Sequence, residues 1–479
     1  MEDEVLAGAG VDSFEEVFKL IFIKLFDEKK SQRDKENLYD ILENKLGELT
    51  MSKFSEVKET LQNLDTRLFK FRDLEFRNKG QTERDLQKKL QKLFGEAKET
   101  WKGIFPEEAK IELTPSHLSV CVSALQDVKL TNSNLDVIDE AFEYLVSKTA
   151  KGEKGQYFTP RYVIDMCVKM LNPKEGEYMI DTAAGSCGFP VHMIFWLMQK
   201  YQKPIEDMTE AIARIFGIDF DEKAVRVART LNLIAGDGHT NVLHLNTLDY
   251  ERWNETTTNT DWTLTYGEGL KRLEKLKTDK DSYKHFNFDV LMANPPFAGD
   301  IKESRIVHKY NVGFNAKNKA KSKVGRDLLF IEGNLDFLKP GGRMAIVLPQ
   351  GRFNNTSDKE IREYISEKAR ILAVVGLHGN TFKPHTGTKT SVLFLQKWDE
   401  ELCPKKADYP IFFAVSEKGG KDNSGDYVYL KDAEGQRKID KRGHLIVKQD
   451  LWNHHGELPD GIAEAFSEFA KKEGLSFAK

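Results

Sequence analysis

A buried strand that runs straight into Asn294-Pro295-Pro296-Phe297 sets the tightest limit on how this chain can fold. The preceding Phe288-Asp289-Val290-Leu291-Met292-Ala293 is an apolar run of strand length. Bounded by prolines, it reads as a core strand ending at a loop. The prolines fix φ and donate no N–H, so the loop carbonyls stay available as acceptors. An Asn, two prolines and an aromatic ring then make a rigid polar clamp beside a flat surface. Such a clamp suits a planar ring gripped through an exocyclic amine. An ordinary strand-to-loop turn uses the same residue types, so the functional reading depends on what lies upstream.

Upstream, Met179-Ile180-Asp181-Thr182-Ala183-Ala184-Gly185-Ser186-Cys187-Gly188-Phe189 reads as a short strand, an acidic residue, a small-residue loop and a helix through Val191, Ile194 and Leu197. Glycines there let the backbone approach a ligand, and the helix start supplies free N–H donors. A dinucleotide fold uses the same device. The next strand, Ile215-Phe216-Gly217-Ile218-Asp219, ends in a carboxylate suited to ribose hydroxyls, with Asp221 as cap of the helix behind it.

Between about residues 135 and 400, strands alternate with helical patterns, which predicts a doubly wound parallel sheet. The expected class is therefore α/β, Rossmann-like, with an all-helical domain over residues 1–134 and a short C-terminal extension over 401–479 that serves subunit contact. In the helical domain Phe14, Val17, Phe18, Ile21 and Leu25 share one face. Asp12 and Ser13 offer caps, and Glu16 would close a capping box. Lys70 to Lys102 reads as an exposed helical surface, and Thr131-Asn132-Ser133-Asn134 as a link. Trp253 to His285 reads as a polar excursion between strands, Gly419 to Asp426 as a turn-rich loop, and Gly461 to Lys479 as helix.

Taken in order, these motifs resemble the gamma-class amino-methyltransferases of DNA, and specifically the modification (M) subunit of type I restriction-modification systems. The resemblance includes Phe14 to Leu20, Asp136 to Leu145, Gly155-Gln156-Tyr157-Phe158-Thr159-Pro160-Arg161, Leu338 to Pro349 and Thr386 to Phe394. It implies S-adenosylmethionine as cofactor and N6-adenine methylation of double-stranded DNA as activity. Tyr157, Phe158 and Thr159 would lie at the methionine end, with Thr159 on the carboxylate. Asp181 would take the amino group beside Ala183 and Phe189, and Gly185 and Gly188 would permit close approach. Asp219 would hold the ribose, and Asn246 the adenine amine, where relatives often carry Asp. Cys187 departs from the Gly or other small residue of many relatives.

For catalysis, the Asn294 side chain and the Pro295 carbonyl would accept from the target amine, with Pro296 shaping the clamp. Phe297 would stack on a base swung out of the duplex, and Phe382 would cover its other face. A core aromatic would serve equally well at Phe382.

The net charge of −4 is unlike the basic footprint of a chain that grips DNA unaided. Lys302, Arg305, Lys309, Lys317, Lys319, Lys321 and Lys323 do cluster after the clamp. Lys302, Arg305, Lys309 and Lys317 are candidates for the DNA backbone, although a solvated loop has the same composition. After the last sheet motif nothing reads as a target-recognition domain. The resemblance implies a separate specificity (S) subunit, two M chains per S chain, and optionally a restriction (R) subunit. Four scattered cysteines, Cys121, Cys167, Cys187 and Cys403, suggest neither a disulfide framework nor a metal site. The acidic Met1-Glu2-Asp3-Glu4 and the interrupted run Leu20 to Phe26 point to a cytoplasmic chain with no membrane span. Three alternatives stay open: a stand-alone DNA amino-methyltransferase acting on adenine N6 or cytosine N4, a protein or RNA methyltransferase with the same clamp, and a scaffold that binds cofactor without turnover.

Overall fold

The computed structural model describes residues 11–12, 15–31, 74–127, 158–234, 241–315, 317–440 and 445–478. The chain forms two compact units, Met1–Ile138 and Asp139–Lys479. Phe14, the Thr131–Asn134 link and Tyr157 lie outside the described residues. Among those described, no helix is long and apolar enough to cross a membrane.

The first unit contains α1 (residues 15–31), α2 (Glu83–Thr100) and α3 (Pro115–Leu125). Val17, Phe18, Ile21 and Leu25 are buried, as the helical spacing predicts. Phe22 meets Phe94, Trp101 and Phe105 at 5.1–6.2 Å between ring centroids. The Asp12 carboxylate caps α1 by accepting from Glu15 N–H. Ser13, the other half of the expected capping box, lies outside the described residues. The buried Glu16 carboxylate accepts from the N–H groups of Glu112 and Leu113 at 3.0 and 3.2 Å. Nor is the basic stretch simply exposed, because α2 buries Leu86, Leu90, Leu93 and Phe94 along one face.

The second unit is built on an eight-stranded sheet. Its strands are β1 (Met179–Asp181), β2 (Ile215–Asp219), β3 (Val242–His244), β4 (Phe288–Ala293), β7 (Leu338–Pro349), β8 (Ala369–Gly376), β9 (Thr390–Lys397) and β10 (Phe412–Val415). A separate two-stranded ribbon pairs β5 (Asp300–Ile301) with β6 (Val324–Gly325). The order across the large sheet is β3-β2-β1-β4-β7-β9-β8-β10. The chain winds outward from β1 through β2 to β3, then returns to β4 on the other side. The carboxyl ends of β1 and β4 therefore flank a topological switch point, where sheets of this kind bind ligands.

Two expectations about the sheet need correction. It is not wholly parallel, because β9 runs antiparallel between β7 and β8. Strands buried on both faces read as apolar runs in either direction, so the pattern of Val392-Leu393-Phe394-Leu395 carries no sign of polarity. The division at residue 400 also falls inside the sheet, since β10 pairs parallel with β8. The α10 helix (Ile462–Lys472) covers that end by packing Phe466 against Phe394 and Phe412.

The segment from Trp253 to His285 is likewise no polar excursion. It carries the helix Thr260–Glu274, and Trp253, Trp262, Tyr266 and Leu273 join the same core as β2, β3 and β4.

Candidate active site

The switch point opens into a cavity of about 250 Å³, with a smaller one of about 50 Å³ beside it. Phe158, Ala183, Gly185, Ser186 and Asn294 line both. Asp219 and Asn246 belong to the larger cavity, and Thr159, Asp181, Gly188 and Phe189 to the smaller. Segments separated by more than a hundred residues in sequence thus meet at one place.

The loop after β1 shows what its small residues do. Gly185 has φ +51, which is costly for a residue with a Cβ although there is open space for one. Cys187 adopts φ 68 as well, with its side chain fully buried. That explains why Gly suits this position and why Cys holds it under strain. Gly188 serves packing besides any ligand: a Cβ there would lie 2.8 Å from Ile164 Cδ1. It lets α5 (Gly188–Tyr201) close on α4 (Arg161–Leu171), the helix that follows Phe158-Thr159-Pro160.

Both carboxylates are buried and tied to this loop. Asp181 Oδ1 accepts from Ala183 N–H at 3.0 Å. Burial pushes its pKa well above the usual carboxylate range, opposed by that hydrogen bond and reinforced by Asp219. Asp219 accepts from Gly185 N–H and Asp221 N–H, each at 2.9 Å. Its pKa is raised too, again chiefly by burial. Asp221 caps the helix behind β2 by accepting from Ala224 N–H at 2.9 Å. Asn246 is exposed to the cavity, and its Oδ1 accepts from Leu248 N–H at 3.1 Å. The amide nitrogen and a second oxygen lone pair remain for a ligand.

Sequence reasoning missed two of the apolar walls, Phe220 and Phe330. Phe220, 57% exposed, Pro296 and Phe330 line the larger cavity and offer flat surfaces to a planar ring. The signal for Phe220 is its place just beyond Asp219 at the end of β2; nothing local marks Phe330.

Phe330 lies on α8 (Arg326–Phe337), whose buried polar residues reach three different elements. Asp327 takes both Nε and one terminal nitrogen of Arg352, at 2.7 and 3.0 Å. Glu332 accepts from the N–H groups of Asn311 and Val312. Asn334 accepts from the Thr182 hydroxyl at 2.7 Å, just past β1.

At the clamp, Asn294 follows β4 directly and is half-buried, with Oδ1 shielded from solvent. Phe297 and the buried Phe382 meet at 5.8 Å between ring centroids and 87° between planes. Phe382 thus stands edge-on to Phe297 and does not lie parallel to it.

Four of the seven cations in the basic segment are paired with carboxylates. Arg305 pairs with Asp249, Lys309 with Glu251 at 2.5 Å, Lys321 with Glu360 at 3.4 Å and Lys323 with Asp300 at 2.7 Å. Arg305 lines the cavity, so it and Lys309 brace the wall formed by residues 303–309. Lys302 and Lys317 are exposed.

Compared with known protein families, residues 133–454 match N-6 DNA Methylase, well over half of the chain. The chain belongs to the N-6 DNA methylase family. Among curated proteins, the EcoEI methylase subunit of a type I restriction enzyme from Escherichia coli is 26% identical over 250 residues, covering 51% of this chain and 43% of that protein. The EcoKI methylase subunit from Escherichia coli K12 is 24% identical over 294 residues, covering 59% and 49%. The chain spans about half the length of the curated relatives it matches. Among solved structures, the methyltransferase subunit of a type I restriction-modification system from Streptococcus thermophilus superposes with a TM-score of 0.50 at 20% identity, over 74% of this chain and 68% of that one. At that identity, the likeness is one of fold.

Proposed function

We propose that this N-6 DNA methylase transfers the methyl group of S-adenosylmethionine to the N6 amine of adenine in double-stranded DNA, as the modification subunit of a type I restriction-modification complex in the cytoplasm. One observation carries the reading: Asn294 lines the junction of two cavities whose other walls hold the acidic ends of β1 and β2.

The donors fit the cofactor. Asp181, buried with an elevated pKa, gains an opposite charge if an ammonium group enters the smaller cavity. Asp219 and Asn246 offer acceptors to ribose and adenine, and Phe220, Pro296 and Phe330 offer faces to the ring. When bound, S-adenosylmethionine supplies an electrophilic methyl group. The protein's task is orientation. Acceptors at Asn294 and Pro295 would draw on both N–H groups of the target amine, favour a pyramidal nitrogen and aim its lone pair. They also face the positive charge that develops there. Phe297 would hold the flipped base.

Relatives bearing the name of type I methylase subunits, together with the net charge of −4, support a partner that reads DNA sequence. We assign that role to an S subunit binding two copies of this chain, with an R subunit as optional third component. The test is single-molecule sequencing of DNA from a methylation-free host expressing the chain alone or with its S partner. N6-methyladenine at a gapped site only in the second case is expected. Marks from the chain alone would refute dependence on S, and no mark from an assembled pair would refute the adenine assignment.

The cofactor assignment also sets a pH dependence. The Asp181 pKa is raised in the folded unliganded chain, so the protonated form persists to higher pH than in an exposed Asp. That shift favours the folded state below the unfolded pKa, an advantage lost as pH rises through the folded one. A cationic ligand needs the carboxylate, so binding releases protons. Affinity for S-adenosylmethionine is expected to fall on acidification, approaching tenfold per pH unit where protonated Asp181 dominates. Calorimetry in buffers of different ionisation enthalpy measures both effects. Proton-independent, pH-flat binding would refute the ammonium–Asp181 pairing.

A further inference from the structure

The turn-rich segment Gly419 to Asp426 lies far from the clamp in sequence, yet it touches the two segments that a methyl transfer must coordinate. On one side it meets the helix that follows Phe158-Thr159-Pro160. The Tyr162 hydroxyl donates to the Gly419 carbonyl at 2.6 Å, and Gly420 (φ +68) lies so close that a Cβ would come within 2.7 Å of Tyr162 Cζ. On the other side it grips the loop that carries Phe382. Asn380 Nδ2 donates to the Lys421 carbonyl and to Asn423 Oδ1, both at 3.2 Å. Lys383 Nζ donates to the Asn423 carbonyl at 3.2 Å. The buried Lys421 sends its ammonium to the Lys383 carbonyl at 3.1 Å. Gly425, at φ +100, leaves room for Pro384, since a Cβ there would lie 2.5 Å from the proline nitrogen.

The segment is itself held in shape. Asp422 Oδ1 accepts from the N–H groups of Ser424, Gly425 and Asp426 at 2.8–3.0 Å. Those bonds hold its carboxyl below the usual range. Three such bonds close residues 422–426 on themselves. Contacts thus run from Tyr162 through Gly419 to Lys421 and Asn423, and from there to Asn380 and Lys383.

We infer that this segment is a coupling strap: ligand occupancy at Phe158-Thr159 sets, through Tyr162 and Lys421, the position of the Phe382 wall against Phe297. Tyr162 and Lys421 are positioning residues, since neither lines the two cavities. The inference rests on the cofactor reading above and adds an order of events: the base site takes its final form once the cofactor site is filled. The physical basis is a contiguous hydrogen-bonded path between two sites that a ligand at one end biases.

The test is hydrogen–deuterium exchange on the full chain with and without S-adenosylhomocysteine, alongside calorimetric affinity. In the wild type, ligand is expected to slow exchange both in residues 158–171 and, several-fold, in residues 378–386. Tyr162→Phe should keep its ligand affinity and the first protection while losing the second. Lys421→Met, which cuts the strap at its other end, should do the same, and it guards against a folding defect in either variant. A purely structural brace would loosen residues 378–386 equally with and without ligand. Ligand binding without transmitted protection in the wild type, or protection retained in both variants, overturns the strap alone. Absence of ligand binding to the wild type overturns the cofactor reading and the strap with it.

Discussion

Replacing Asn294 by Ala is expected to lower the rate of methyl transfer by about a thousandfold while cofactor affinity changes only a few-fold. The residue follows β4, whose Ala293 is in register with Ile346 of β7 in the middle of the sheet. The backbone at the clamp is therefore anchored, and truncation removes an acceptor with little rearrangement. What is lost is the side-chain oxygen that would take one N–H of the target amine. Without it the amine lone pair stays in the ring and the reacting atoms are not aligned. Affinity for S-adenosylmethionine should largely survive, because Asp181, Asp219, Asn246 and the aromatic walls are untouched. Asn294→Asp keeps an acceptor and should fall between the two. Single-turnover transfer to unmethylated DNA by the chain assembled with its S partner gives the rate, and calorimetry gives the affinity. Transfer unchanged in Asn294→Ala would remove Asn294 from catalysis; lost affinity with intact folding would make it a cofactor residue instead.

Much of the candidate site could be read locally. Strand ends carrying Asp181, Asp219 and Asn294, a glycine at positive φ in Gly185 and a cap in Asp221 each depend on a few neighbouring residues. What could not be read depends on partners far away in the chain. The basic segment after the clamp looks free for phosphates because its carboxylates lie elsewhere. Arg305 finds Asp249 across 56 positions, and Lys309 finds Glu251. Gly188 looks like a ligand-facing glycine until Ile164 is placed beside it. Strand direction is hidden for the same reason, since β9 shows its polarity only through Thr390–Gln396 pairing backward onto Arg343–Pro349. Charge counts and periodicities report the surroundings of a residue along the chain, whereas these features are set by contacts across it.

Glu332→Ala should give the largest loss of stability of any single change near the site, about 3–5 kcal/mol. Glu332 is fully buried on α8. One carboxylate oxygen accepts from Asn311 N–H and Asn311 Nδ2, both at 2.8 Å, and the other from Val312 N–H at 2.9 Å. Truncation strands those donors in the interior, where each unmade bond is costly. The turn has nowhere to relax: Gly313 packs so tightly on the Val307 carbonyl that a Cβ could not fit, and the Tyr310 hydroxyl is held by the Leu248 carbonyl at 3.1 Å. The melting temperature should drop on the order of 10 °C. Glu332→Gln keeps the shape and one acceptor but sets an amide NH2 against a donor, so a smaller drop is expected. The wall of residues 303–309 hangs on this turn and carries Ile306 and Arg305 into the larger cavity. Cofactor affinity should therefore weaken well below the unfolding temperature. Calorimetric melting and cofactor titration at 25 °C separate the two effects. A Glu332→Ala melt within about 2 °C of the wild type would mean that the turn finds other acceptors, and the wall would then owe its position to the Arg305–Asp249 and Lys309–Glu251 pairs.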